Sequence, residues 1–292
     1  MDFGLILPTM PQGATAEGIE AAAETAARLG WATVWTTDHV LVATADAGEY
    51  GLIYEALVTL AYVAGRAPGV RLGTSVLVVP QRNAVVLAKE LATLDALSRG
   101  RLVAGVGVGW SAPEFANLGV AERFRVRGAY LEETIRLWRA LWGGATAFEG
   151  RFHRFSDTAF GPLPPQGARL PILVGGRSEA ALQRAGRIGD GYHTSQAGPA
   201  QVAERRPTIE AAATAAGRPL PRLSCRVSVR FGAPPQSGYA ISGSAQEMQA
   251  EVRAFAAQGV AELALGFGET DPERVVAAME RFERDVLAAF RG

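Results

Sequence analysis

Cysteine is almost missing: Cys225 is the only one in 292 residues. That excludes an intramolecular disulfide and any metal site built from several thiolates. Histidine is scarce as well, with only His39, His153 and His193, too few for a zinc or copper centre made by protein alone. No charge of either sign is in excess, since 29 Lys plus Arg balance 29 Asp plus Glu. The broad basic footprint that nucleic acid requires is therefore lacking, and no nucleic-acid partner is expected. No run is long and apolar enough to span a bilayer, and Met1-Asp2-Phe3-Gly4 lacks the basic and apolar stretches of a secretory signal. A cytoplasmic protein with no membrane partner is expected.

What is present is apolar material, 48% of the chain, enough for a large core. The order of elements is regular. Phe3 to Pro8 is a short apolar run, and Thr15 to Leu29 is an alanine-rich helix closed by Gly30. The unit recurs as Ala32–Thr36 with Glu55–Ala64, then Val70–Val78 with Ala84–Leu97, whose Leu87, Leu91, Leu94 and Leu97 form one apolar stripe. Arg101–Val106 is a fourth strand, followed by a Ser111-x-x-Glu114 capping-box spacing and a helix over Tyr130–Trp142. Residues 145–170, rich in Phe, Gly and Pro, read as an inserted hairpin around Phe148–His153. Four more units follow: Pro171–Val174, Tyr192–Thr194, Leu223–Val229 and Glu262–Leu265, each with a helix behind it. Eight such alternations predict an α/β fold of the (β/α)8 TIM-barrel type, one domain over residues 1–292 with its insertion before strand five.

In such a barrel the functional groups lie at the carboxyl ends of the strands. Here those positions are mostly Gly, Thr, Ser and Val, with His39 the one histidine that follows a strand directly. Paired carboxylates and a Gly-x-Ser-x-Gly elbow are both absent, which disfavours glycosidase and serine-hydrolase chemistry. Small residues instead suit a flat conjugated cofactor approaching the backbone. Val174-Gly175-Gly176-Arg177-Ser178 runs from a strand into a helix, where free amides and Arg177 can face a phosphate; an ordinary glycine turn with a Ser178 cap explains the same residues. Gly105-Val106-Gly107-Val108-Gly109 has the wrong spacing for a dinucleotide fingerprint. His39, placed after Asp38 at a strand end, is the candidate acid or base, its tautomer fixed by a carboxylate or a backbone carbonyl. His193, inside strand six, reads as a core histidine, and His153 lies in the insertion.

Leu72–Asn83, Ala88–Arg101 and Gly105–Trp110 resemble the bacterial luciferase-like flavin and deazaflavin oxidoreductases. The resemblance continues through Glu114-Phe115, Arg127-Gly128, Phe148-x-Gly150, Val174-Gly175-Gly176 and Gly189–Tyr192, and within that superfamily it is nearest to the branch that uses coenzyme F420. It implies a cofactor across the barrel mouth and a bulge at Ser75-Val76 beside Thr74, with a cis peptide in several relatives. Gly107, Gly109 and Trp110 would border the ring. Phosphate would sit at Val174, Gly175, Gly176, Arg177 and Ser178. Asp38 and His39 match the catalytic acid–histidine pair. Sugar-phosphate dehydrogenases of the superfamily carry a glutamate at Trp110 and a tryptophan near Val42 and Ala43, so a less phosphorylated organic substrate is expected. The implied activity is hydride transfer between F420 and a small organic molecule. An FMN-dependent monooxygenase served by a separate reductase and a flavin-binding protein without turnover are the alternatives, and a homodimer through the barrel helices is expected.

Overall fold

Short apolar strands separated by amphipathic helices leave each strand to be paired by its neighbours. In the computed structural model that pairing runs full circle. The structure describes residues 1–10, 14–232, 234–235 and 238–290. The barrel strands are β1 (Asp2–Ile6), β2 (Thr33–Thr36), β3 (Arg71–Thr74, resuming at Leu77–Val78), β4 (Leu102–Gly107), β5 (Ile172–Gly175), β6 (Gly191–Ser195), β7 (Arg222–Phe231) and β8 (Val260–Gly266). Each pairs in parallel with the next, and β1 closes the circle on β8 through Asp2–Glu262 to Leu5–Leu265. Around them stand α1 (Ala16–Arg28), α2 (Ala56–Ala64), α3 (Ala84–Leu97), α4 (Ala112–Asn117), α5 (Arg123–Trp142), α6 (Glu179–Ile188), α7 (Pro199–Ala215), α8 (Ala245–Ala257) and α9 (Pro272–Asp285). Among the described residues, no helix is long and apolar enough to cross a membrane.

Local chemistry explains most helix ends. Thr15, Asn83, Ser178, Ser244 and Asp271 each accept a backbone N–H in the first turn, and Ser244 completes a capping box with Glu247. Gly30 adopts φ 69° after α1, the left-handed conformation glycine takes without penalty. The insertion is a short antiparallel hairpin, Phe148–Glu149 with Arg154–Phe155, tied down where the Glu133 carboxylate accepts the N–H groups of Arg151, Phe152 and His153. Three expectations change. The long helix α5 begins at Arg123, seven residues before the predicted Tyr130, because its arginine-rich first turns carry no apolar period. Ala240–Gly243 forms an unpredicted strand beside Ser228–Phe231. Leu97, read as part of one apolar stripe with Leu87, Leu91 and Leu94, is 74% exposed while those three are buried.

Two apolar clusters fill the molecule. The larger lies between barrel and helices, and the smaller, Ile6, Trp35, Val103, Leu173 and Ala264, fills the cylinder itself. Trp35 dominates that interior. Its indole N–H donates to Glu262 at 3.1 Å, and its ring stacks on His193 at 4.7 Å. A Cβ on Gly4 or Gly73 would collide with the indole, so these glycines are the space Trp35 occupies. One level up, a Cβ on Gly105 would run into the Thr74 carbonyl oxygen, a backbone atom that cannot rotate away. Gly105→Ala is therefore expected to cost about 1–3 kcal/mol by overpacking, seen as a lower urea midpoint at unchanged slope. An unshifted midpoint would mean the interior has slack there.

Candidate active site

The cis Ser75-Val76 peptide interrupts β3, and it is the bulge expected from the sequence. It turns Val76 toward β4 and β5. A Cβ on Gly107 would come within 2.6 Å of Val76 Cγ2, and one on Gly175 within 2.9 Å of Val76 Cγ1. Gly109, at φ 74°, clears Val78 and Phe115 in the same way. These glycines make room for the protein's own bulge, and the wall they present to the mouth is Val76. Thr74 is fully buried, its hydroxyl donating to Gly105 O at 2.7 Å, and so it ties β3 to β4 rather than facing the mouth. Val174 likewise differs from expectation: its side chain is fully buried in the helix-side cluster, because it falls on the outward phase of β5.

Beneath the bulge lies a short polar chain. Ser75 Oγ is 2.8 Å from His193 Nε2, and His193 Nδ1 is 2.7 Å from Ser224 Oγ. Burial, reinforced by the charge of Arg226, brings the His193 imidazole down to about 3. It is neutral, donating with one nitrogen and accepting with the other, between two hydroxyls that can do either.

The end of β2 carries the reactive candidate. His39 Nδ1 lies 3.1 Å from Glu114 Oε2, and the other oxygen of that carboxylate accepts the Val40 N–H at 2.7 Å. Burial alone would raise the Glu114 carboxyl, but the hydrogen bonds from His39 and Val40 prevail and bring it to about 2. A fixed anion thus holds Nδ1–H and leaves Nε2 free for proton exchange. In sequence Glu114 has a cap spacing and a place in the family resemblance but no role in the site; Ser111 does cap α4, while the glutamate side chain turns to His39. Asp38 has a different task from the catalytic one expected. Its oxygens accept Val78 N–H at 2.8 Å and Arg82 Nη2 at 2.9 Å, so it fastens β2 to the strand beyond the bulge. Burial pushes its carboxyl up, against the pull of Arg82.

Aromatic rings close the mouth over His39. Tyr50, in a short turn of helix at Ala47–Tyr50, lies 4.3 Å from the imidazole, and Trp110 stands edge-on to it at 5.8 Å. His39 keeps 9% of its surface beneath these rings, and Ser75 keeps 7%. At the opposite rim, Gly176 at φ 127°, Arg177 and Ser178 are exposed at the start of α6, and the left-handed backbone there admits only glycine comfortably. Ser178 is also the helix cap, accepting Ala181 N–H at 3.4 Å. His153 stays in the hairpin, bonded to Thr134 Oγ1 at 2.9 Å and edge-on to Tyr130.

The family profile described as luciferase-like monooxygenase matches residues 1–290. An uncharacterized protein of Mycobacterium tuberculosis is 31% identical over 210 residues, 67% of this chain and 72% of that one. An F420-dependent glucose-6-phosphate dehydrogenase of Kineococcus radiotolerans is 36% identical over 165 residues, 56% of this chain and 48% of that relative, about half its length. Among solved structures, an F420-dependent secondary alcohol dehydrogenase superposes with TM-score 0.82 at 19% identity, covering 98% of both chains. The oxygenating constituent of a Pseudomonas putida diketocamphane monooxygenase with FMN gives 0.81 at 15%, covering 98% and 97%. At those identities the structural likeness is one of fold.

Since His193 takes up protons near pH 6.5 when unfolded and only near 3 when folded, the unfolded chain binds more protons between those limits. Stability must then fall as pH drops below about 6.5, by about 2 kcal/mol at pH 5 from this group alone. Urea midpoints at pH 7 and 5 measure the fall, and His193→Gln should flatten it.

Proposed function

Because the chain belongs to the luciferase-like monooxygenase family and so is an oxidoreductase, we propose that its cofactor is coenzyme F420 and its substrate a small, largely apolar organic molecule. The observation that carries this reading is His39, its Nδ1 held by an ionised, buried Glu114 and its ring turned to a mouth walled by Tyr50 and Trp110. The F420-dependent relatives support the deazaflavin, and Trp110 at the mouth rim, 55% exposed, supports an apolar acceptor over a sugar phosphate. When bound, F420 supplies a hydride donor or acceptor at C5 of its ring. The residues present fit such a group. Val76 and its glycine socket offer a flat wall, and the exposed amides of Gly176, Arg177 and Ser178 offer a phosphate a helix start. His39 Nε2 gives or takes the proton that accompanies hydride transfer, while Tyr50 and Trp110 exclude water from it.

Fluorescence titration of the purified protein with F420 and with FMN tests the choice of cofactor. Micromolar quenching by F420 is expected; quenching by FMN alone moves the protein to the two-component monooxygenases, with a separate reductase as partner. His39→Ala should leave F420 affinity within about twofold and lower turnover by roughly 10²-fold or more. Glu114→Gln, which removes the anchor and keeps the base, should cost about 10- to 100-fold. Turnover unaffected by either change takes His39 out of the reaction.

The same reading includes a homodimer through α2 and α3. Val58, Tyr62, Val86 and Leu97 are 69%, 41%, 54% and 74% exposed along these helices, and Val58, Val86 and Leu97 line a groove of about 660 Å³. So much apolar surface on two adjacent helices suits a second copy of the chain. Sedimentation should give twice the chain mass at micromolar concentration, and Val58→Glu with Val86→Glu should give the monomer. A wild-type monomer at 50 µM rejects the dimer.

A further inference from the structure

Strand β7 alternates strictly. Cys225, Val227 and Val229 are buried toward the helices, whereas Ser224 points inward to His193 and Arg226 inward one level higher. Arg226 therefore forms the floor of the mouth, above the layer of His193 and Ser75. Its Nη1 donates to Thr37 Oγ1 at 2.7 Å and to the Ser75 carbonyl at 3.3 Å, which places the guanidinium directly between the end of β2 and the bulge.

Among the described residues no carboxylate comes within ion-pair distance of this guanidinium, although Arg71, Arg82, Arg184 and Arg222 all have one. Burial lowers the Arg226 guanidinium, and the Glu49 carboxylate of the segment over the mouth pulls the other way, the Tyr50 phenol being neutral. Arg226 is only partly buried, so its unpaired side stays open to the mouth, where an anionic ligand can complete its shell. With Nη1 used by Thr37 and Ser75, the side-on edge formed by Nη2 and Nε has no acceptor among the described residues. That edge presents two parallel N–H groups, the pattern that matches a planar pair of oxygens.

We propose that Arg226 anchors the carboxylate of the acceptor, so that the substrate is a flat, apolar acid with its anionic end on the barrel floor and its apolar end beneath the paired rings of Tyr50 and Trp110. This rests on the F420-dependent reading of the same mouth and names its substrate class. Hydrogen bonding by both oxygens would hold the apolar end of the acid on the side of His39, against the aromatic cluster that Tyr50 and Trp110 form there.

Benzoate and its neutral counterpart benzamide serve as probes, titrated calorimetrically into the F420-loaded and the cofactor-free protein. Wild type should bind benzoate about 10- to 100-fold more tightly than benzamide, the range set by one charge-assisted pair. Arg226→Gln should abolish the preference, and Arg226→Lys should keep only part of it, since an ammonium lacks the fork. Equal binding of the two probes by wild type overturns the proposal. So does an Arg226→Gln variant that keeps its benzoate preference, or one that loses F420 affinity instead, which would make Arg226 a reader of the cofactor. Should the protein bind no F420 at all yet prefer benzoate through Arg226, the carboxylate anchor stands and the cofactor reading falls.

Discussion

The bonds of the mouth converge on the Ser75-Val76 peptide. The Ser75 N–H donates to Thr36 O at 2.7 Å, its hydroxyl pairs with His193, its carbonyl accepts from Arg226, and two residues on, the Val78 N–H is taken by Asp38. Strand β3 is thereby fixed on both sides of its interruption. Because Asp38 and His39 are consecutive, fastening Asp38 to Val78 also sets where His39 emerges, and Glu114 then sets how its ring is turned. The groups that matter sit at ends of barrel strands, which a packed interior holds more firmly than loops can.

That firmness is a matter of volume before it is one of hydrogen bonds. Trp35 fills the lower cylinder against Gly4 and Gly73, and Val76 fills the upper against Gly107 and Gly175. A valine between two glycines makes a smooth apolar wall at the mouth, and interiors at this density transmit any displacement. The proposed phosphate corner is of another kind. Gly176, Arg177 and Ser178 are exposed, and what they would contribute is the start of a helix rather than a packed shape.

The sequence revealed the barrel because period and caps are local. The Ser178 and Ser111 caps stand where the sequence put them, and the first helix opens just after Thr15. It concealed the start of α5 for the converse reason: Arg123, Arg125 and Arg127 are good helix formers with no apolar rhythm. In the site, His39 was legible from its place after a strand, and the bulge from family resemblance. Glu114 was not, since its pairing with His39 spans 75 residues and its spacing from Ser111 already had a satisfactory explanation as a cap. The glycines misled in a particular way. Their smallness was correctly noticed, but the atoms that need the room belong to Val76 and Trp35, a fact that only three-dimensional packing contains. Leu97 fits the apolar period of α3, and periodicity alone does not say that the last turn of a helix has outrun the barrel it packs on.

The division between rigid and exposed parts bears on how one fold serves different acceptors. The bulge, Asp38, Glu114 and the glycine socket are buried and mutually bonded, so changing any of them disturbs the others. Tyr50 and Trp110 instead stand on connections after β2 and β4, and Trp110 is more than half exposed. Replacing them alters the space above His39 without touching the barrel. Proteins that share this fold at 15% and 19% identity carry names as different as diketocamphane monooxygenase and secondary alcohol dehydrogenase, as expected when loops carry the specificity and strands the frame. Arg226 falls between the two classes. It is held by Thr37 and Ser75 from the rigid set, yet its other edge is left open toward the loops, so in the proposed reading the floor of the mouth would select by charge what the walls select by shape.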